Sequence, residues 1–283
     1  MEKIAVIITC HNRKEKTEKC IKSIVFNSNY SFDFYITDDK SNDGTFKMLN
    51  DISDKLNLRI YIEKGDGNLF WCKGMKKSFD KAIDKGYDLY LWVNDDVEFY
   101  ENFIDKLLQV YHERKNEDGV IVVGSFRDKY TGEFTYGGVK SIGKEKLKYS
   151  FIQPIDRIQE CDTMNGNCVM IDSFTVNKIG SLDGEYEHGM GDFDYGYRAT
   201  ESGGNIYIAP GYVGTCSRNE IKDTWKDCNL SLKRRLELVK SPTGLPLKSW
   251  KKYSRRFGGK LWVIKFIKPY IKIFLTSNFL FRR

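Results

Sequence analysis

The sequence has no CxxC pair, no run of paired cysteines and no internal repeat or low-complexity tract. Its seven cysteines (Cys10, Cys20, Cys72, Cys161, Cys168, Cys216 and Cys228) are scattered and odd in number, which fits neither a zinc cluster nor a disulfide framework. Reduced thiols in a cytoplasmic protein fit better. No uncharged apolar run approaches the roughly 20 residues of a transmembrane helix. The opening MEKIAVIITCHNRKE holds too short an apolar run for a signal sequence and shows no cleavage site, so a cytoplasmic location is expected. A dinucleotide fold would need GxGxxG after the first strand, and Cys10-His11-Asn12-Arg13 stands there instead. The three histidines (His11, His112, His188) offer no triad with a Ser or Cys.

What is present describes a globular chain: 283 residues, 41% hydrophobic and 30% charged. That length allows one large α/β domain with an appendage. The net charge of +7 is unevenly spread. Residues 219–283 hold 17 Lys and Arg against 4 Asp and Glu, whereas residues 1–218 hold 29 against 35. An acidic body with a basic tail argues against a nucleic-acid partner and for a tail that meets an anionic surface.

Apolar runs ending in polar turns set the expected fold. Ile4–Cys10, Phe34–Thr37, Arg59–Glu63, Leu89–Val93 and Gly119–Val123 read as strands, separated by helical patterns at about 14–27, through Met48-Leu49, over Trp71–Ile83 and at Asn102–Arg114. This alternation predicts an α/β architecture with a largely parallel sheet flanked by helices. Residues 126–160 break the pattern and suit an insertion. Further on, a strand at Cys168–Ile171, a helix at Asp192–Ser202 and a strand at Ile206–Ala209 are expected. In the tail, Leu230–Val239 is expected to be helical. From Gly259 to Leu280, Lys265, Lys268 and Lys272 share one side of an apolar helix, an interfacial pattern with Pro269 as a kink or restart.

The carboxyl ends of strands in such sheets are where ligands bind. Here they carry acids: Asp38-Asp39 after the second strand and Asp95-Asp96 after Leu89–Val93, with Asp192 and Asp194 at a later loop-to-helix junction. Adjacent carboxylates repel unless a cation lies beside them, and a divalent ion carrying a diphosphate satisfies that need.

Taken in order, Thr9-Cys10-His11-Asn12-Arg13, Asp38-Asp39-Lys40-Ser41-Asn42-Asp43-Gly44-Thr45, Asn94-Asp95-Asp96 and Gly191-Asp192-Phe193-Asp194 with Arg198 resemble the family 2 glycosyltransferases of GT-A fold, over about residues 1–215. The resemblance implies inverting transfer from a nucleotide-sugar donor with Mg²⁺ or Mn²⁺ as cofactor. Thr9, His11, Asn12 and Arg13 would line the nucleotide pocket and Asp39 would bind the base. Asp95 and Asp96 would form the DxD-type site, with Asp96 the direct metal ligand, and Asp192 would be the catalytic base. Gly191 stands where a Glu often precedes that base. Asp192 could instead cap its helix, and Asp194 could pair with Arg198 one turn on.

Gly67-Asn68-Leu69-Phe70-Trp71-Cys72-Lys73-Gly74-Met75 is similar to a stretch of bacterial surface-polysaccharide and rhamnosyltransferase-like members, and would border the donor. Trp71 either stacks on a sugar or packs in the core. Asn165, His188 and Asp194 are secondary candidates on the acceptor side. The expected organisation is a GT-A domain over 1–218 and a basic amphipathic helical tail over 219–283. The tail would contact the inner face of the membrane or a second copy of the chain. The expected substrates are a UDP- or dTDP-sugar and a saccharide acceptor, lipid-linked, in O-antigen or capsule synthesis. The competing reading is a non-catalytic nucleotide-sugar-binding or scaffold protein. A sugar-phosphate nucleotidyltransferase is disfavoured because the Gly-rich loop and Lys after its first strand are missing.

Overall fold

The computed structural model describes residues 2–143 and 145–277. The first part alternates strand and helix: β1 (Ile4–Cys10), α1 (Lys14–Phe26), β2 (Phe32–Asp38), α2 (Thr45–Leu56), β3 (Arg59–Lys64), α3 (Phe70–Lys85) and β4 (Leu89–Val93). β2 and β4 are buried along their whole length, as strands covered on both faces must be. β3 lies at the sheet edge, where Arg59, Glu63 and Lys64 keep it hydrated. Along β1 the two faces separate cleanly: Ile4, Val6 and Ile8 enter one core, Ala5 and Ile7 the other.

The chain continues through β5 (Glu98–Phe99), α4 (Phe103–Arg114), β6 (Val120–Val123), β7 (Phe126–Arg127), β8 (Phe134–Tyr136), β9 (Gly138–Ile142), β10 (Glu145–Phe151), β11 (Gln159–Cys161), β12 (Thr163–Met164) and β13 (Cys168–Asp172). Then come α5 (Ser173–Ile179), α6 (Gly191–Glu201), β14 (Asn205–Ile208), β15 (Gly214–Thr215), α7 (Leu232–Lys240), α8 (Leu247–Phe257) and α9 (Trp262–Leu275).

Among the described residues the main sheet has eight strands, in the order β11-β14-β6-β13-β4-β1-β2-β3. The expected parallel run holds from β3 to β4 and then changes. β6 does not pair with β4, because β13 lies between them, antiparallel to both. Its sequence CVMID is buried throughout, and an apolar run of that kind carries no record of strand direction. The insertion matters for function. Being antiparallel, β13 begins where β4 ends, with Cys168 opposite Val93, and so carries Asn165-Gly166-Asn167 to the Asp95-Asp96 corner.

The tail is built into the second core. Tyr253 and Phe257 of α8 are buried against the α6 side of the sheet, and Trp250 packs beside them. α9 stays helical through Pro269 rather than restarting there. Residues 278–283, the end of the expected apolar stretch, lie outside the described residues. Among the described residues no helix is long and apolar enough to cross a membrane.

Candidate functional site

The turns after β1 and β2 are clasped together. Asn12, in a left-handed conformation, receives the Asn42 N–H on its side-chain oxygen (2.8 Å) while its own N–H donates to Ser41 Oγ (2.9 Å). His11 Nδ1 lies 2.6 Å from the Asp39 carbonyl, which can only accept, so Nδ1 carries the proton. Thr9 sits two residues before His11, with its hydroxyl directed at the Thr37 carbonyl (3.4 Å) and packed on Gly74 of α3.

Asp39 is buried and already engaged. Oδ1 accepts from Gly67 N (2.7 Å), and Oδ2 from Leu69 N (2.9 Å) and Phe70 N (3.2 Å). Three of about four lone-pair sites are thus spent on the loop that precedes α3. These bonds hold Phe70 in the left-handed region (φ 53°), a costly conformation for an aromatic residue. A Cβ on Gly65 would collide with this carboxylate and lie 2.7 Å from the Asp39 Cα, so the approach needs glycine. Asn68 is exposed at the tip of the loop, its N–H capped by Asp66 Oδ1.

Asp95 and Asp96 share one cation. Arg13 Nη1 donates to Asp95 Oδ1 and Asp96 Oδ2, each at 3.0 Å. Asp95 is the buried member, and burial pushes its carboxyl up to about 6 even though Arg13 pulls the other way. Thr17 of α1 points its hydroxyl at Asp95 Oδ2 (3.5 Å). Asp96 is partly exposed and lines a cavity of about 360 Å³ with Lys16, Lys19, Lys129, Cys216 and Arg218. Among the described residues no group of three His, Cys, Asp or Glu converges as a ready metal cage. The donor set at Asp96 does suit a hard divalent ion completed by oxygens from a ligand and water, the usual arrangement for Mg²⁺.

The third part of the site comes from α6 and the start of β13. Asp192 lies in the first turn of α6, half-buried, with Oδ2 accepting from Gly166 N (3.1 Å) and Oδ1 from Phe193 N (2.9 Å). Burial pushes this carboxyl up to about 6, the backbone bonds opposing it. Gly166 is covered by Trp71, whose ring atom Cη2 would lie 2.6 Å from any Cβ there. The Trp71 indole N–H donates to Asn94 Oδ1 at 2.7 Å and its ring meets Trp92 edge-on. Asn94 N in turn donates to the Asn167 carbonyl (3.2 Å). A continuous chain of contacts therefore links Asp192, Gly166, Trp71 and Asn94 to the acid pair.

The remaining candidates separate. His188 is half-buried, edge-on to Phe70 (6.5 Å), and its pKa is lowered by burial and then by the charge of Arg13, which keeps it neutral. Asn165 has its N–H on the Gly137 carbonyl (3.1 Å), and its buried Oδ1 meets no protein donor among the described residues. Asp194 points away into the protein. Fully buried, it accepts from Arg198 Nε (2.8 Å), Arg256 Nη1 (3.0 Å) and Tyr186 OH (3.0 Å). The i,i+4 pairing with Arg198 is realised, and Arg256 ties the tail to the same carboxylate. Sequence reasoning missed Thr17, Cys216 and Arg218. Only the chain's return past Asp96 after β15 brings the last two there, and no local pattern signals it.

Residues 5–175 match the family described as glycosyl transferase family 2. No curated protein matches the chain. Among solved structures, the chain is similar to the mannosyltransferase PcManGT from Pyrobaculum calidifontis in complex with GDP-Man and Mn²⁺, with a TM-score of 0.60, 11% identity, 97% of this chain covered and 74% of that one. It is similar to GalNAc-T7 with UDP, GalNAc and Mn²⁺, with a TM-score of 0.63, 15% identity and 96% of this chain covered; it spans 55% of that longer chain. It is also similar to residues 1–349 of S. aureus TarS in complex with UDP-GlcNAc, with a TM-score of 0.56, 13% identity and coverage of 99% and 73%. At these identities the likeness is one of fold, the GT-A arrangement.

Proposed function

The chain belongs to the family 2 glycosyltransferases, and we propose that it moves a sugar from a UDP- or dTDP-linked donor to a hydroxyl of a saccharide acceptor, inverting the anomeric centre. The observation that carries this reading is the placement of Asp192. It sits in the first turn of α6, partly open, joined through Gly166, Trp71 and Asn94 to the Asp95-Asp96 pair. A carboxyl near 6 is ionised at neutral pH yet basic enough to assist a hydroxyl.

In this reading Asp192 takes the acceptor proton as the acceptor oxygen bonds to the anomeric carbon. The bond from that carbon to the diphosphate oxygen breaks on the opposite face, and the nucleotide diphosphate leaves with the electron pair. One displacement inverts the centre and needs no enzyme nucleophile. The turns after β1 and β2, with Asp39 holding the 67–70 loop, shape the donor's base end. Asp39 keeps one lone-pair site for a base N–H. Arg13 and neutral His188 flank the diphosphate end. Asp96, with Asp95 behind it, would hold Mg²⁺ or Mn²⁺, which supplies charge to offset the leaving diphosphate. Mn²⁺ in two of the similar structures supports that cofactor.

The same reading makes the acceptor a lipid-linked saccharide in surface-polysaccharide assembly at the inner face of the membrane. Residues 219–283 would act as a basic tail on the 1–218 domain. Its support is α9. Val263, Ile264, Ile267, Ile271, Phe274 and Leu275 are all exposed, and at 100° per residue they fill one arc of about 120° with Lys268 and Lys272 along its border.

The test is release of UDP or dTDP from a panel of nucleotide sugars, with and without Mn²⁺, for wild type, Asp96→Ala and Asp192→Asn. Turnover by wild type and its loss in both variants is the expected result. Full transferase activity in both variants would refute the assignment.

A further inference from the structure

We infer that Tyr149 and Phe151 on β10 form the acceptor subsite and that they take the C–H face of a pyranose ring. The inference rests on Asp192 marking the acceptor end of the site. β10 runs along α6 toward its N-terminus. The Lys146 carbonyl accepts from Tyr197 OH (2.9 Å), and nearer the helix start Tyr149 meets Phe193, the residue after Asp192, with ring centroids 5.0 Å apart. Phe151 lies two residues further on.

Tyr149 and Phe151 pair with Ser141 and Val139 of β9, so all four side chains point to one face of the hairpin. That face is the inner one: Val139 is fully buried, and Ser141 Oγ contacts Tyr197 OH (3.2 Å). An inner face should be covered, yet Tyr149 remains 43% exposed and Phe151 41%. The strand outruns the N-terminus of α6 and leaves two aromatic rings open beside the first helical turn. The register shift between Glu145 and Tyr149 aims them there.

The far end of this strip is also organised. Phe134 packs on Phe151 (6.3 Å), and the Arg218 guanidinium stands 5.5 Å over the Phe151 ring. Arg218 is fixed by two bonds to the Thr135 carbonyl (3.1 and 3.0 Å) and lines the cavity at Asp96. The aromatic strip therefore meets the Asp192 helix at one end and, through Arg218, the acid-pair cavity at the other.

The chemistry selects a sugar. Aromatic faces carry negative potential, and the axial C–H bonds of a pyranose present a flat, apolar, weakly positive face to match. A ring stacked there would place its hydroxyl edge toward Asp192, which needs one hydroxyl within hydrogen-bond reach.

Saturation-transfer NMR with a panel of methyl glycosides (gluco, galacto, manno, rhamno and N-acetylglucosamine forms) in the presence of UDP tests this. Wild type should transfer saturation to the ring C–H protons of at least one glycoside. Phe151→Ala and Tyr149→Ala should each weaken its Kd about tenfold, the size expected of one lost aromatic stacking contact. Phe151→Trp should retain binding, and UDP affinity should not change in any of them. Both rings are at least 41% exposed, so truncating either leaves the core filled and separates recognition from folding. Binding equal to wild type in both alanine variants, or no glycoside bound by wild type, overturns the inference. Failure of wild type to bind UDP while a glycoside still binds counts against the donor reading instead.

Discussion

The Trp71 indole N–H donates to the Asn94 side-chain oxygen at 2.7 Å, so a helix residue is locked onto the residue that opens the acid turn after β4. The same indole covers Gly166, whose N–H holds Asp192. The ring serves as the spacer between the metal-side acids and the base. Trp71→Phe leaves Asn94 without its donor and loosens the spacer. A loss of about 1–3 kcal/mol in urea unfolding is expected, with kcat falling more than donor affinity. Unchanged kcat would show that the spacing is set elsewhere.

Replacing Asp192 by Asn keeps the shape and removes the base. Transfer should fall by about 10²–10⁴, while binding of UDP, measured calorimetrically, stays as in wild type.

The pH profile follows from the two raised carboxyls. Asp192 and Asp95 both sit near 6, above the ordinary Asp value, because burial disfavours their charged forms. The base must be ionised, so kcat/KM should rise with pH through about 6 and level off above it. Below that point loss of charge on Asp95 adds to the fall, and the acid limb should steepen beyond slope one. In Asp192→Asn the residual rate should lose the Asp192 component of this limb. A limb centred at the ordinary carboxylate range would contradict the burial argument.

Arg13 neutralises two acids, one of them buried. Arg13→Met leaves Asp95 without its cation, and a destabilisation of about 1–3 kcal/mol is expected at pH 7. The loss should shrink at pH 5, where Asp95 takes up a proton and no longer needs a partner. Mn²⁺ should raise the Tm of this variant more than that of wild type, since the ion then meets uncompensated carboxylates. Equal Mn²⁺ shifts in the two proteins would place the ion elsewhere.

The tail cannot be treated as detachable. Arg256 of α8 completes the coordination of buried Asp194, and Tyr253 and Phe257 enter the core beside α6. Truncation after residue 218 should therefore unfold α6 along with removing the tail, visible as a lowered Tm. Membrane binding is better tested on the exposed arc of α9. Ile267→Glu with Ile271→Glu should keep the wild-type Tm and lose co-sedimentation with anionic phospholipid vesicles. Retained sedimentation would remove the membrane role from this helix.

Local sequence pattern was enough to specify the strand-helix alternation of the first 93 residues, the acid-ended strands and the location of the first turn of α6. These are local properties: apolar runs specify buried strands, and Asn, Asp and Gly specify the turns that end them. It also placed three lysines on one side of the last helix. The rest came from long-range contacts. An apolar strand such as CVMID has no direction until it finds neighbours, and its antiparallel insertion beside β4 is what brings Gly166 to Asp192. In sequence Asp39, Asp96 and Asp194 are alike in standing at a strand end or a loop-to-helix junction. Their surroundings separate them: three backbone N–H groups hold Asp39, two arginines and a tyrosine hold Asp194, and Asp96 is left facing a cavity. Which carboxylate is enclosed and which opens on a cavity depends on partners distant in the chain, and only folding supplies them.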